Sequence, residues 1–169
     1  MGLTFLRHTT PDVAKGICYG MTDLGLAENC EAEFAAAVKS LPKSPKIVCS
    51  PLQRCKQLAL HIAGHWGMAV DVVDGLREMD FGRWEMVPWN DIPRAELDEW
   101  AADFMDANPH GGESVRQLSD RVKMTLGGFA DDTLVVTHSG VIRAAAAISD
   151  HPYGWEIDVK FGRWVQMAG

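Results

Sequence analysis

The chain has 169 residues, a hydrophobic content of 47% and a formal net charge of -7 at pH 7. This length is typical of one domain with a substantial core, and the hydrophobic content is too high for a disordered chain. The negative charge excludes a general binder of nucleic acid or of anionic membranes, because the phosphate groups of those partners would be repelled. We predict a single domain over residues 1–169.

Short apolar runs alternate with helical patterns along the whole chain. The predicted elements are, in order, a strand at 3–6, a helix at 29–41, a strand at 46–49, a helix at 52–66, a strand at 67–73, helices at 92–105 and 114–129, a strand at 133–137, a helix at 141–148 and an edge strand at 161–167. The runs at 46–49 and 133–137 are rich in β-branched residues, and together with the apolar run at 3–6 they read as buried parallel strands. Strand and helix alternation predicts a layered α/β fold.

Cationic and polar side chains follow three of the predicted strands. Arg7 and His8 come directly after the first strand, Ser50 follows the second, and His138 follows the strand at 133–137. Arg54 lies in the first turn of the helix that follows Ser50. Because ligands bind beyond the carboxyl ends of strands in open α/β sheets, we expect these residues to outline one anion site.

The order of these residues resembles the histidine phosphatase superfamily, also called the phosphoglycerate mutase-like family. Arg-His-Thr at 7–9 and the Gly-Gly-Glu-Ser helix start at 111–114 carry the resemblance together with the residues above. The segments 16–23, 76–85 and 89–92 are most similar to the α-ribazole phosphatase branch.

The resemblance implies a three-layer α/β/α sandwich with a mostly parallel central sheet. It also implies a metal-independent phosphomonoesterase without a cofactor, in which His8 is the nucleophile that forms a phosphohistidine and Glu78 is the general acid and base. Arg7, Arg54 and His138 are implied to bind the phosphoryl group, with the protonated form of His138 adding charge stabilisation. The branch implies α-ribazole 5'-phosphate as substrate and a place in cobalamin biosynthesis.

Two positions depart from the family pattern, and two others are assigned to substrate. Thr9 and Met86 stand where the family has glycine, which tolerates backbone angles that other residues avoid. Tyr19, Gly20 and the stretch 81–89 are expected at the mouth of the site, where they would accept a flat or apolar substrate body, and a place for these aromatics in the core is the alternative. The acids Asp80 and Glu85 are interpreted as solvated side chains.

Other functions remain to be weighed. A phosphoglycerate mutase-type phosphotransferase and a non-catalytic phosphate-binding module stay open, although the chain is short for the substrate-enclosing segments of the mutases. A metal site at His61 and His65 is disfavoured, since no third ligand is evident. The sequence starts without a basic leader and a long apolar stretch, so a cytoplasmic protein acting on a small phosphorylated substrate is expected. A homodimer is left open.

Overall fold

The computed structural model describes residues 2–168. Within this range the elements follow in the order β1 (Gly2–Arg7), α1 (Cys30–Ser40), β2 (Lys46–Cys49), α2 (Gln53–Trp66), β3 (Asp71–Val72), α3 (Arg94–Ala102), α4 (Val115–Leu126), β4 (Thr133–Thr137), α5 (Ser139–Ile148) and β5 (Trp164–Ala168). The alternation of strand and helix that the sequence predicts is confirmed.

One sheet of five strands forms in the order β3-β2-β4-β1-β5. The pairs β1 with β4, β4 with β2 and β2 with β3 are parallel, whereas β5 runs antiparallel to β1 at the edge of the sheet. The predicted fold class, with a mostly parallel central sheet, is therefore confirmed.

Helices cover both faces of this sheet. Leu3 and Phe5 of β1 belong to a core cluster with buried residues of α4 and α5. Leu6, the next residue along the strand, belongs to the cluster built by α1 and α2. Successive strand side chains point to opposite faces, so a run of apolar residues supplies both clusters at once. The three-layer sandwich follows from this two-sided burial.

Several predicted elements are shorter in the structure. The strand expected at 67–73 has only two residues, since Asp71 and Val72 alone pair with the end of β2. The helix expected at 92–105 covers Arg94–Ala102 and begins directly after Pro93, whose ring fixes φ and removes a backbone donor. The helix expected at 114–129 begins at Val115, with Ser114 as its N-cap.

The parallel register brings three strand ends to one edge of the sheet. Arg7 of β1 is level with Thr137 of β4, and Cys49 of β2 is level with Val136 of β4. The residues that follow these positions therefore emerge side by side, with His8 and His138 in direct ring contact.

Candidate active site

A cavity of about 490 Å³ opens at this edge of the sheet. Arg7, His8, Tyr19 and Glu78 contribute to its lining. Arg54 and His138 are fully buried and touch the lining residues: the Arg54 guanidinium carbon lies 5.4 Å from the centre of the Tyr19 ring. The centres of the His8 and His138 rings are 5.2 Å apart. The five residues expected to act on a phosphoryl group thus lie together.

A backbone carbonyl orients the imidazole of His8. Nδ1 of His8 lies 2.7 Å from the carbonyl oxygen of Thr9, a distance and partner that assign the proton to Nδ1. Nε2 then carries the lone pair, which is the form a nitrogen nucleophile needs. Thr9 is not among the described non-glycine residues with positive φ, so its side chain is accommodated without backbone strain.

Burial keeps the His8 imidazole neutral. Desolvation, followed by the positive charge of Arg54, lowers the pKa of His8 to about 3, while the hydrogen bond to Thr9 opposes the shift. A neutral ring is nucleophilic, and it needs no general base to remove a proton before attack. The lone pair of Nε2 is therefore available throughout the physiological pH range.

This shift predicts a loss of stability in acid. The unfolded chain binds a proton at His8 below about pH 6.5, whereas the folded chain does so only near pH 3, so stability falls as the pH drops through this window. When the pH is lowered from 7 to 4.5, we expect the unfolding free energy of the parent to fall by about 2 kcal/mol more than that of His8→Asn, which lacks the imidazole. Urea unfolding of both proteins at the two pH values checks this. A difference that is the same at both values contradicts the prediction.

Two arginines lie beside His8 without a carboxylate partner among residues 2–168. Arg54 donates from Nη1 to the carbonyl of Thr22 at 2.7 Å and from Nη2 to that of Gly20 at 2.6 Å. Arg7 donates from Nη1 to the carbonyl of Val159 at 2.9 Å. The Nε atoms of both arginines are buried without a partner in the described chain. Two positive charges thus retain free donors, which suits an incoming anion.

His138 is held beneath the site by side chains that follow β2. Its Nε2 lies 2.8 Å from the hydroxyl oxygen of Ser50 and 3.4 Å from the sulfur of Cys55. Burial, with the nearby His8 and Arg54, lowers the pKa of His138 well below its usual value. The site alone therefore favours the neutral ring rather than the protonated form expected from the sequence. A bound dianion would oppose this shift, because opposite charge raises the pKa of a histidine.

Backbone donors fix the carboxylate of Glu78 at the cavity wall. Oε1 accepts from the N–H of Met79 and Oε2 from the N–H of Gly140, each at 2.9 Å. A Cβ atom at Gly140 would lie 2.2 Å from Oε1, so only glycine leaves room for this contact. The turn from β4 into α5 therefore positions both His138 and Glu78.

The two residues assigned to substrate take different places. Tyr19 lines the cavity, and burial raises the pKa of its hydroxyl although Arg7 and Arg54 oppose the shift. Gly20 is not among the lining residues. It packs against the carbonyl of Met79, where an added Cβ would come within 1.8 Å, and its own carbonyl accepts from Arg54. Gly20 thus holds the Arg54 guanidinium through its carbonyl in this structure.

The interpretation of Glu85 as a solvated acid is wrong. Its carboxylate accepts the backbone N–H groups of Gly20, Met21 and Phe81 and the hydroxyl of Thr22. These four bonds hold the loop whose carbonyls bind Arg54. Asp80 is likewise only partly exposed and accepts the N–H of Gly82 at 2.8 Å. The sequence pattern had no signal for either role, since both depend on contacts made in the folded loop.

Met86 occupies a backbone conformation that favours glycine. Its φ is 64°, in the left-handed region, and its side chain is exposed. The left-handed φ thus explains why the family has glycine where this chain has Met86. The N–H of Met86 donates to the carbonyl of Cys18 at 2.7 Å.

The cavity lining extends beyond the residues that the sequence assigned to the site. Aromatic side chains form much of the cavity wall: Tyr19, Phe81, Trp89, Trp100, Phe104 and Trp155. The exposed Arg143 adds a cation to the lining. Phe161 packs against both Arg7 and His8. The sequence suggested the aromatics of 81–89 as a substrate mouth. It gave no such signal for Trp100, Phe104 and Trp155, because tertiary contacts bring them to the cavity.

His61 and His65 belong to no cluster of metal-binding side chains in the part of the chain that the structure describes. His61 packs beside Phe34 on the exposed side of α2. Across residues 2–168 no group of three or more His, Cys, Asp or Glu side chains is placed to hold a metal ion. In the same range, every helix is too short or too polar to span a membrane.

Comparisons with known proteins identify the family. The family described as the histidine phosphatase superfamily (branch 1) matches residues 3–155. The adenosylcobalamin/alpha-ribazole phosphatase of Salmonella typhimurium is 27% identical over an alignment of 179 residues, which covers 97% of this chain and 88% of that protein. The glucosyl-3-phosphoglycerate phosphatase of Mycolicibacterium vanbaalenii is 30% identical over 190 residues, with 99% and 84% covered.

A solved structure has the same fold. The alpha-ribazole phosphatase of Shigella flexneri superimposes with a TM-score of 0.83 at 24% identity, and the match covers 97% of this chain and 88% of that one. The resemblance read from the motifs at 7–9 and 111–114 is confirmed. The chain belongs to the histidine phosphatase superfamily.

Proposed function

We propose that this protein is a metal-independent phosphomonoester hydrolase that works through a phosphohistidine at His8. The observation that carries the proposal is the neutral imidazole of His8, with Nδ1 bonded to the Thr9 carbonyl and Arg7 and Arg54 alongside. A phosphomonoester dianion repels nucleophiles, so positive groups must gather its oxygens before attack. The two guanidinium groups supply that charge.

In the first step, Nε2 of His8 attacks phosphorus and the bond between phosphorus and the ester oxygen breaks. The leaving alkoxide takes a proton from Glu78 in its protonated form. The products of this step are the alcohol and a phosphohistidine, with Glu78 left as the carboxylate. Its position at the cavity wall, beside the N–H of Gly140, supports this role.

In the second step, water attacks phosphorus and the bond between phosphorus and Nε2 breaks. The Glu78 carboxylate removes a proton from this water, which restores the acid for the next cycle. His8 returns to its neutral form with Nδ1 still bonded to Thr9. Inorganic phosphate is released.

Arg7, Arg54 and His138 stabilise the charge that spreads over the equatorial phosphoryl oxygens. Arginine suits this role because its planar fork donates parallel hydrogen bonds and stays charged at any working pH. His138 can donate one N–H to a phosphoryl oxygen even as the neutral ring, and the dianion favours its protonation.

The aromatic wall favours a substrate with a flat, apolar leaving group. Six aromatic rings line the cavity, and aromatic faces stack on planar bodies. Together with the similarity to alpha-ribazole phosphatases, this supports α-ribazole 5'-phosphate as the substrate. Arg143 supports a second candidate, a phosphorylated hydroxy acid such as glucosyl-3-phosphoglycerate, whose carboxylate a lining cation would bind. In both cases the substrate is small and water is the acceptor.

A phosphate-release screen tests the function and separates these substrates. The panel includes α-ribazole 5'-phosphate, glucosyl-3-phosphoglycerate, 3-phosphoglycerate and an alkyl phosphate, each with and without a chelator. We expect release to be unaffected by the chelator and kcat/KM to be highest for the ester with the aromatic base. Loss of activity with the chelator would refute metal independence. Conversion of 3-phosphoglycerate to its isomer without phosphate release would favour a mutase, and no release from any ester would favour a binding module.

A further inference from the structure

Phe161 lies in the loop between α5 and β5 and contacts both Arg7 and His8. The guanidinium carbon of Arg7 is 4.0 Å from the centre of the Phe161 ring. The His8 ring centre is 5.4 Å from the same point, with the two planes tilted by 40°. The family match ends at residue 155, so this contact comes from a segment beyond it.

Backbone hydrogen bonds fasten this loop to the end of β1. The N–H of Gly162 lies 3.2 Å from the carbonyl oxygen of Arg7 and 3.1 Å from that of His8, and the N–H of Arg7 donates to the carbonyl of Arg163 at 3.0 Å. The carbonyl of Val159 accepts from Nη1 of Arg7 at 2.9 Å. Val159 and Gly162, on either side of Phe161, thus hydrogen-bond to the residues that the Phe161 ring contacts.

An aromatic face can hold a guanidinium without using its N–H groups. The ring quadrupole attracts the cation, and the hydrogen-bond donors stay in the guanidinium plane, directed away from the ring. A carboxylate partner would instead accept those donors and offset the positive charge. Nε of Arg7 is buried without a partner in the described residues, which is consistent with a donor kept for a ligand.

We propose that Phe161 is a positioning residue, which holds the Arg7 guanidinium against its ring so that the free N–H groups meet the phosphoryl group. The same ring packs against His8 and limits the movement of the imidazole. This inference rests on the proposed function in that it takes a phosphoryl group as the ligand of Arg7. Phe161 itself acts through the two residues that it contacts.

Binding of inorganic phosphate, measured by calorimetry on four proteins, tests the inference. The proteins are the parent, Phe161→Leu, Arg7→Gln and the double variant. A cation–π contact of this kind corresponds to about a 3- to 30-fold change in affinity. We expect Phe161→Leu to weaken phosphate binding by this factor in the parent and to have no further effect in the Arg7→Gln background. Phe161→Tyr, which keeps the ring, should restore the affinity.

Matched controls separate positioning from folding. Tyr153→Leu removes an exposed aromatic residue of the same connection between α5 and β5 and should leave phosphate binding unchanged. If Phe161→Leu does not fold, Phe161→Met is measured in the same cycle. Equal weakening in both Arg7 backgrounds, or no weakening at all, overturns the inference. A parent that binds phosphate but hydrolyses no ester refutes the proposed function and leaves this inference standing.

Discussion

Replacing His8 with alanine is expected to lower kcat by at least about 10⁴-fold, because the nucleophile is lost while the binding groups remain. The parent, quenched in alkali during turnover of a radiolabelled phosphomonoester, should carry label on one histidine, and peptide mapping should place it at His8. The His8→Ala protein should carry none. These two measurements test the phosphohistidine directly, whichever ester is used.

The control for this experiment is His65→Ala, which removes an exposed histidine in the last turn of α2. It should retain both turnover and labelling. Binding of inorganic phosphate by His8→Ala shows whether the pocket survives the substitution, since Arg7 and Arg54 are unchanged. Persistent labelling of His8→Ala, or label on His138 in the parent, would assign the covalent role to another residue.

Glu78→Gln is expected to slow the hydrolysis of alkyl phosphates by about 10²- to 10⁴-fold, the usual contribution of a general acid or base. Nitrophenyl phosphate has a leaving group that needs no proton, so its first step should be much less affected. The glutamine can still accept the N–H of Gly140 through its amide oxygen, which keeps the side chain near its place. Comparison of kcat/KM for the two esters is the measurement.

The matched control for this prediction is Glu99→Gln, on the exposed side of α3. It changes the net charge by the same amount and should alter neither ester. If Glu78→Gln slows both esters equally, Glu78 does not act as the acid for the leaving group. The dependence on the leaving group, rather than the size of the loss, therefore decides the role.

Local pattern was sufficient to predict most of the fold. The strands at 46–49 and 133–137 have the predicted bounds, because each is a β-branched run buried on both faces. The strand end before His8 was predictable because residues 3–6 form a short apolar run. The predicted strand at 67–73 was too long because its actual length depends on how many residues of β2 are available for pairing, which local sequence does not encode.

Long-range contacts explain what the sequence could not predict about the site. Glu85 has an ordinary acidic side chain in the sequence, and its importance appears only when the loop at 20–22 folds back onto it. Phe161 lies in a segment where the family resemblance is weak, and it reaches Arg7 only because β5 pairs with β1. Motifs identified the groups that can carry chemistry, whereas the residues that hold them in place were found from the packing.

The pairing of β1 has a consequence for how the newly synthesised chain folds. Among the described residues, this strand (2–7) pairs with 133–137 and 164–168. Contacts so distant in sequence close large loops and fold slowly, and until then both edges of an apolar strand stay unpaired in the nascent chain. The surroundings of His8 are therefore complete only after two strands that lie far from it in the sequence, β4 and β5, have paired with β1.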